Sequence, residues 1–241
     1  PGVSFRVWAP NADSVHVTGS FNFWSPDNTP LCNEGGGIWS ADVPFAQPGS
    51  QYKFVIRNGS EQLFKNDARA FDLTSSVGTS VVWDSEGYIW ETNDFEAPDF
   101  DEMVIYEMHL GTFGTVPGQP GTGTIEQTTL YLDYLQNLGI NAIELMPFHE
   151  FPGDVSWGYN PSHVYSIESA YGSPDDLKRF IDEAHGRGIA VIGDLVFSHI
   201  GPNDMDLWQY DGAESNDSGG IYFYSDDRAH TPWGDTRPDF N

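Results

Sequence analysis

The sequence predicts an immunoglobulin-like β-sandwich followed by an incomplete (β/α)8 TIM barrel, with about three of the eight β/α units. Short stretches of alternating hydrophobicity, separated by turn residues, occupy residues 1–84, which is typical of a sandwich. An acidic connector follows over residues 85–102. From residue 103 the order becomes strand, helix, strand, helix, strand, which favours parallel strands joined by right-handed crossovers.

The sandwich strands are predicted from period-two patterns. Residues 3–8 and 15–18 alternate apolar and polar side chains, and residues 52–56 form a strand that enters an Asn58-Gly59 turn. Asn-Gly is a strong signal for a tight hairpin. We therefore expect a small two-sheet domain over residues 1–84.

The first β/α unit is predicted from a buried strand at residues 104–107 and a helix from Thr124 to Gly139. Thr124 and Gln127 have the spacing of a capping box, and glycine is the preferred residue just past a helix end. The buried face of this helix is expected to consist of Ile125, Leu132, Leu135 and Leu138.

The next units follow the same pattern. A strand at residues 142–145 leads through a long loop to a helix that Ser173 caps and Pro174 begins, and residues 189–194 form a third strand that ends in Asp194. The apolar stripe of this helix consists of Leu177, Phe180, Ile181 and Ala184. A complete barrel has eight units in about 250 residues. We therefore expect residues 103–241 to be part of a larger protein, with an unfinished sheet edge prone to aggregation.

The composition is strongly acidic, with 10 Lys and Arg against 36 Asp and Glu and a formal net charge of −26. Nucleic acids and anionic membranes attract clustered cations, so the charge argues against both as partners. Two interpretations of the charge remain open. One is a solvated acidic surface, and the other is adaptation to high salt, where counter-ions screen the repulsion.

The chain contains one cysteine, Cys32, which cannot form an intramolecular disulfide and so permits a reducing compartment. No apolar run approaches the roughly 18 residues of a membrane span, and no signal segment opens the chain. We therefore expect a cytoplasmic protein. The sequence carries no signal for an oligomeric state.

Tyr159, Asp194 and His199 are the candidate substrate-binding residues. Asp194 ends an apolar strand, where an ionised carboxylate must be paired or face a wet pocket. His199 follows five residues later, and Tyr159 lies in a Trp-Gly-Tyr-Asn-Pro loop where its ring could stack on a sugar. In a β/α barrel the strand ends and the loops after them meet the substrate. The structural alternatives are an ion-paired Asp194, a satisfied His199 and a Tyr159 that only packs.

The sandwich offers a possible sugar platform of four residues, Asn22, Trp24, Trp39 and Lys53. The alternative is that the tryptophans belong to the core, because sandwich cores also use tryptophan. Asp204 and Asp206 supply calcium-type ligands but lack the loop spacing that specifies a calcium site. We therefore predict no metal.

Several motifs, in order along nearly the whole chain, resemble the alpha-amylase superfamily, glycoside hydrolase family 13. FRVWAPNADSVHVTGSFNFW resembles the family 48 carbohydrate-binding module that precedes such barrels. YEMHLGTF resembles the first barrel strand, INAIELMPFHEFPGDVSWGYNP the second strand with its loop, and AVIGDLVFSHIGP the third strand. The resemblance is strongest to the branching-type members.

The resemblance implies a retaining enzyme that acts on an alpha-glucan, such as glycogen, starch or a maltooligosaccharide, with no cofactor. It implies that Tyr159 stacks on the sugar on the non-reducing side of the cleaved bond and that Asp194 and His199 hydrogen-bond that sugar. Family members commonly have asparagine before the histidine, as a calcium ligand, whereas this chain has Ser198, which argues against calcium. The family's nucleophile and acid/base fall beyond Asn241, so we expect no catalytic residue and no turnover from residues 1–241 alone.

Three functions remain open for the protein. The first is a 1,4-alpha-glucan branching enzyme of glycogen metabolism, which transfers a cleaved chain to a 6-hydroxyl group. The second is a hydrolase, either an alpha-amylase or a maltooligosyl-trehalose trehalohydrolase. The third is a non-catalytic glucan-binding protein in which the sandwich binds the glucan.

Overall fold

The computed structural model describes residues 2–115, 121–201, 205–212, 218–234 and 236–240. Across these ranges no helix is both long enough and apolar enough to cross a lipid bilayer. The architecture consists of an antiparallel sandwich, a connector, and a parallel sheet with helices.

The sandwich consists of two antiparallel sheets. The first has the order β1-β4-β3, and the second has the order β2-β5-β6 with β7 paired to β5. The strands are β1 Val3–Trp8, β2 Ser14–Gly19, β3 Cys32–Gly35, β4 Ile38–Val43, β5 Gln51–Asn58, β6 Glu61–Lys65 and β7 Ser80–Val81. The predicted strands and the hairpin at Asn58-Gly59 are confirmed, since β5 pairs with β6 across that turn. Side chains at every second position, such as Phe5 and Val7, point into the core.

The second part is built on three parallel strands in the order β12-β9-β8. A short antiparallel hairpin, β10-β11, extends from the loop after β9. The strands are β8 Ile105–Met108, β9 Ala142–Leu145, β10 His149–Glu150, β11 His163–Ile167 and β12 Ala190–Gly193. The helices are α1 Leu110–Phe113, α2 Ile125–Thr129, α3 Leu132–Leu138 and α4 Pro174–His185.

The first parallel strand is less buried than the sequence predicts. Val104 and Ile105 are 51% and 43% exposed. Met108 and Leu145 pack into the helix-covered core, whereas Ile105 alternates to the opposite sheet face. The prediction of a buried strand was therefore wrong at two positions: Ile105 lies on the face that the helices do not cover, and Val104 precedes the first residue of β8.

The first predicted helix is divided in two. Tyr131, at φ −99° and ψ 1°, leaves the helical region between α2 and α3. Leu138, in the last turn of α3, is 58% exposed although it was predicted to be buried. At about 100° per residue it lies about 120° around the helix from the buried Leu132, at the edge of the apolar face. The predicted capping box is confirmed, with Thr124 Oγ1 accepting from Gln127 N at 3.2 Å and Gln127 Oε1 accepting from Thr124 N at 3.1 Å.

The connector is fastened to α4 through one buried carboxylate. Asp182 accepts hydrogen bonds from the hydroxyl of Tyr88 at 3.0 Å and from the backbone N–H groups of Glu91 and Thr92, each at 2.8 Å. Burial alone raises the pKa of Asp182, but these hydrogen bonds outweigh it and hold the pKa below its usual value. The connector therefore lies against the helix.

The sandwich and the segment after β12 share one hydrophobic core. Five residues from the second part pack with the sandwich interior: Val164, Ile200, Leu207, Tyr210 and Phe223. The last four follow β12 in the chain. Residues 205–240, where described, contain only turns, bridges and one short 3-10 helix, Asp227–Ala229.

Candidate active-site cleft

Asp194 lies at the carboxyl edge of the parallel sheet. Its backbone N–H donates to the carbonyl of Leu145 at 2.9 Å, so the residue extends the β12–β9 pairing by one position. Tyr159 lies in the loop between β10 and β11, and His199 lies in the segment that follows β12. The fold therefore brings two loops that are distant in sequence to the same edge.

Tyr159 contacts both of the other predicted substrate-binding residues, Asp194 and His199. The Tyr159 hydroxyl donates to Asp194 Oδ2 at 2.8 Å, and His199 Nε2 lies 2.7 Å from the Tyr159 carbonyl oxygen. A carbonyl oxygen can only accept, so Nε2 carries the proton and donates. In the neutral ring Nδ1 then accepts from the Ser198 hydroxyl at 2.9 Å. Both ring nitrogens of His199 are therefore engaged, and the ring fixes the backbone of Tyr159.

Negative charge surrounds the Tyr159 hydroxyl. The hydrogen bond to Asp194, aided by burial and by the charges of Asp194, Glu107 and Glu144, raises the pKa of Tyr159 to about 12. Glu107 and Glu144 are paired in register on β8 and β9, so their side chains leave the same sheet face. At neutral pH the tyrosine is therefore a hydrogen-bond donor beside a group of carboxylates.

A cleft of about 1110 Å³ is lined by two of the three predicted residues, Tyr159 and His199, and Asp194 is joined to it through the hydrogen bond from the Tyr159 hydroxyl. Its aromatic lining consists of Tyr159, Phe197, His199, Trp208 and Trp233, and Ser198 and Thr236 supply hydroxyl groups. Clefts that bind small molecules combine apolar surface with a few fixed polar groups. Aromatic faces next to hydroxyl and imidazole groups suit a sugar ring.

The sandwich anchors the chain segment that forms one wall of this cleft. Lys65 Nζ donates to the Trp208 carbonyl at 2.9 Å, and the Tyr210 hydroxyl donates to the Asn66 carbonyl at 2.8 Å. Asp206 accepts from the backbone N–H of Asn66 at 3.0 Å and lies 3.7 Å from Lys53 Nζ. Residues 205–212 are thereby fixed to the sandwich.

Two buried glutamates brace the hairpin that carries the Tyr159 loop. Glu150 accepts from the backbone N–H of Ser169 at 2.8 Å, and Glu168 accepts from the backbone N–H of Phe151 at 3.1 Å. Burial, with the charge of Glu168 as a second cause, raises the pKa of Glu150 to about 8. Burial likewise raises the pKa of Glu168 to about 7. Both side chains are at most 1% exposed, so their role is structural.

The four residues of the predicted sugar platform do not share one exposed surface. Trp39 is 8% exposed within the core, and its indole N–H donates to the Ala9 carbonyl at 3.1 Å. Lys53 faces Asp206. The Asn22 side chain is held within its own loop, where it accepts from the Gly19 N–H and donates to the Val17 carbonyl. Of the four residues only Trp24, 42% exposed, presents a large aromatic surface.

Of the two aspartates with calcium-type chemistry, only Asp206 lies within the described residues. Asp204 lies outside the described residues, and Asp206 is occupied at the contact with the sandwich. In the ranges that the structure covers, no cluster of three or more His, Cys, Asp or Glu side chains is arranged to hold a metal ion.

Sequence reasoning missed several residues of the site. Trp208 and Trp233 line the cleft, but they lie in an irregular segment without periodicity. Ser198 was noted only as a departure from a family pattern, whereas its hydroxyl contacts His199. The motif WGYNP identified Tyr159, and the acid at the end of an apolar strand identified Asp194, with His199 five residues later.

Two family models match the chain. Residues 84–238 match the alpha amylase catalytic domain, and residues 1–70 match carbohydrate-binding module 48, the isoamylase N-terminal domain.

Similar proteins include three named 1,4-alpha-glucan branching enzyme GlgB. The protein from Picrophilus torridus is 35% identical over 99% of this chain and 33% of its own length. The protein from Nitratidesulfovibrio vulgaris is 36% identical over 97% of this chain and 38% of its own length. The protein from Halothermothrix orenii is 35% identical over 100% of this chain and 39% of its own length. The chain thus spans about a third of the length of these curated relatives.

Solved structures show the same fold. A putative alpha amylase from Salmonella typhimurium superposes with a TM-score of 0.81 at 33% identity, over 97% of this chain and 36% of that chain. Pullulanase SAP from Group B Streptococcus superposes with a TM-score of 0.67 at 22% identity, over 83% of this chain and 32% of that chain.

Proposed function

The chain belongs to the alpha-amylase family, and we propose on that premise that the complete protein cleaves alpha-1,4 bonds of a glucan by a retaining mechanism. We assign the three parallel strands to the first three of the eight units of its barrel. Residues 1–84 are assigned to a carbohydrate-binding module. The match of residues 1–70 to carbohydrate-binding module 48 supports that assignment.

The substrate-binding proposal rests on one observation, the contact of Tyr159 with both Asp194 and His199. The half-exposed Tyr159 ring stacks on a glucose unit on the non-reducing side of the cleaved bond. Asp194 accepts from a sugar hydroxyl through Oδ1, because Oδ2 is bonded to Tyr159. His199 bonds the same sugar through Nδ1 once the Ser198 hydroxyl turns away, since Nε2 holds the Tyr159 backbone.

The electrostatics around the Tyr159 hydroxyl suit the transition state of this reaction. Glycosidic cleavage develops positive charge on the sugar ring. Asp194, Glu107 and Glu144 place negative charge around the Tyr159 hydroxyl, which favours that charge over the neutral ground state. Retaining cleavage also needs a nucleophile and an acid/base about 5–5.5 Å apart. We assign both to residues outside the 241 of this chain and keep Asp194 as a substrate ligand.

We propose branching as the reaction, in which a 6-hydroxyl group of another glucan chain is the acceptor. The relatives named 1,4-alpha-glucan branching enzyme, 35–36% identical over nearly the whole chain, support this assignment. Hydrolysis is the second candidate, favoured by the similarity to the putative alpha amylase of known structure. A cytoplasmic location accompanies the proposal, because Cys32 is free and exposed, as is usual in a reducing compartment.

Incubation of the complete protein with amylose tests the reaction. Branching predicts new alpha-1,6 linkages by proton NMR at a constant number of reducing ends. Hydrolysis instead releases reducing ends, or trehalose in the case of a trehalohydrolase. An Asp194→Asn variant serves as the inactive control. Intact amylose after incubation with the unmodified protein would contradict the proposal and favour a glucan-binding protein.

A further inference from the structure

We infer that Trp233 is a second sugar-stacking residue of the cleft, extending the glucan-binding surface beyond the glucose unit at Tyr159. The inference rests on the proposed function, since it takes the substrate to be a chain of glucose units. Three observations support it: the hydrogen-bonded turn that holds Trp233, the stacking of the indole on His199, and the exposure of the indole.

The turn that presents Trp233 is firmly built. Thr231 is 3% exposed. Its backbone N–H and its hydroxyl both donate to the Gly234 carbonyl, at 2.8 and 2.7 Å, and the same hydroxyl accepts from the Trp233 N–H at 3.2 Å. Gly234 has φ +131°, which a residue with a side chain rarely adopts. The base of the turn is thus fixed while the indole projects from its tip.

One face of the indole is covered and the rest is open. The Trp233 ring stacks on the His199 ring with centroids 4.7 Å apart and an interplanar angle of 27°. Within these 241 residues Trp233 is nevertheless 73% exposed. The indole N–H has no hydrogen-bond acceptor among the described residues. A fixed aromatic face with a free donor is the combination that binds a sugar ring with its hydroxyl groups.

The position of Trp233 relates it to the first sugar site. His199, beneath the indole, donates to the Tyr159 carbonyl, and both aromatic residues line the same cleft. Trp208 lines the cleft as well, but it packs on Phe223 at 5.3 Å and its carbonyl is bound by Lys65. Trp208 is therefore part of the wall, and Trp233 is the indole available to a ligand.

The test measures maltoheptaose binding to the complete protein by isothermal titration calorimetry. We compare Trp233→Ala, Trp233→Phe and a control, Trp90→Ala, which removes a partly exposed indole outside the cleft. Loss of stacking predicts a Kd about 5- to 20-fold higher for Trp233→Ala. Trp233→Phe keeps an aromatic face and should stay within about threefold of the unmodified protein. Trp90→Ala should bind normally.

A second measurement separates binding from folding. Melting temperatures within about 2 °C of the unmodified protein are expected for the Trp233 variants, because the base of the turn is unchanged. If Trp233→Ala has a lower melting temperature than that, Trp233→Leu replaces it. Leucine keeps apolar volume without an aromatic face, so Trp233→Leu should raise the Kd for maltoheptaose as much as Trp233→Ala. Unchanged affinity in a folded variant without an aromatic side chain at 233 would overturn this inference alone. An unmodified protein that binds no maltoheptaose would overturn the proposed function as well.

Discussion

The Tyr159 hydroxyl donates a 2.8 Å hydrogen bond to Asp194, which joins the loop before β11 to the end of β12. The bond fixes the carboxylate that we assign to the sugar. We expect Asp194→Asn to lower kcat/KM by about 100-fold or more, because an amide is a weaker acceptor and removes a charge near the reacting sugar. Tyr159→Phe keeps the aromatic ring but removes the hydrogen bond to Asp194, and it should lower kcat/KM by about tenfold.

Steady-state kinetics of the complete protein on amylose check this prediction, and thermal melts serve as the control. Both side chains lie at a solvent-facing rim, so the melting temperature should change little. Unfolding of Asp194→Asn in place of inactivation would show that Asp194 is structural.

The buried pair Glu150 and Glu168 makes stability depend on pH. Their pKa values, raised to about 8 and about 7, mean that the folded state holds these protons more tightly than the unfolded state. The stability they contribute is complete below about pH 4 and is lost as pH rises through about 7 to 8. Glu150→Gln, which cannot ionise, should raise the free energy of unfolding at pH 8 by on the order of 2 kcal/mol.

Urea denaturation of the protein at pH 5 and pH 8 measures this effect. Glu61→Gln, at an exposed position, serves as the matched control and should leave the free energy of unfolding unchanged at both pH values. If Glu150→Gln has the same pH dependence as the unmodified protein, the pair does not titrate in this range.

Asp182 holds the connector to α4. Asp182→Ala leaves the N–H groups of Glu91 and Thr92 and the Tyr88 hydroxyl without their acceptor, and hydrogen bonds to a charged group contribute about 1.5–3 kcal/mol each. Taking the low end of that range for three bonds, we expect a loss of about 4 to 5 kcal/mol in the free energy of unfolding and faster proteolysis within residues 85–102. The control Glu96→Gln, an exposed residue of the same segment, should behave like the unmodified protein. Equal cleavage rates would contradict a clamping role.

The net charge of −26 predicts that salt stabilises the fold. Raising NaCl from 0.1 to 2 M screens the repulsion between carboxylates and should raise the melting temperature by about 5 °C or more, if the charge reflects adaptation to salt. Differential scanning fluorimetry measures the shift. A flat or falling melting temperature would leave the solvated acidic surface as the explanation.

Local signals predicted much of the architecture. The capping residues Thr124 and Ser173, the Asn58-Gly59 hairpin and the strand ending at Asp194 depend on neighbours a few residues away, so the sequence contains them. Trp39 and Lys53 show where such signals fail. A period-two pattern separates the two faces of a strand, but tertiary packing decides which face meets the core and which meets solvent. Lys53, for example, faces Asp206, which lies about 150 residues later in the chain. Trp233 lies on an irregular turn, for which no periodic pattern exists.

The attachment of residues 205–212 to the sandwich has a consequence for domain exchange. Lys65, Asn66 and Tyr210 join the sandwich to the segment that carries Trp208, so the N-terminal module is part of the support of the cleft. A chimaera that receives the module of a distant relative would need the matching segment after β12 as well. Evolutionary change on the two sides of this contact is therefore expected to be correlated.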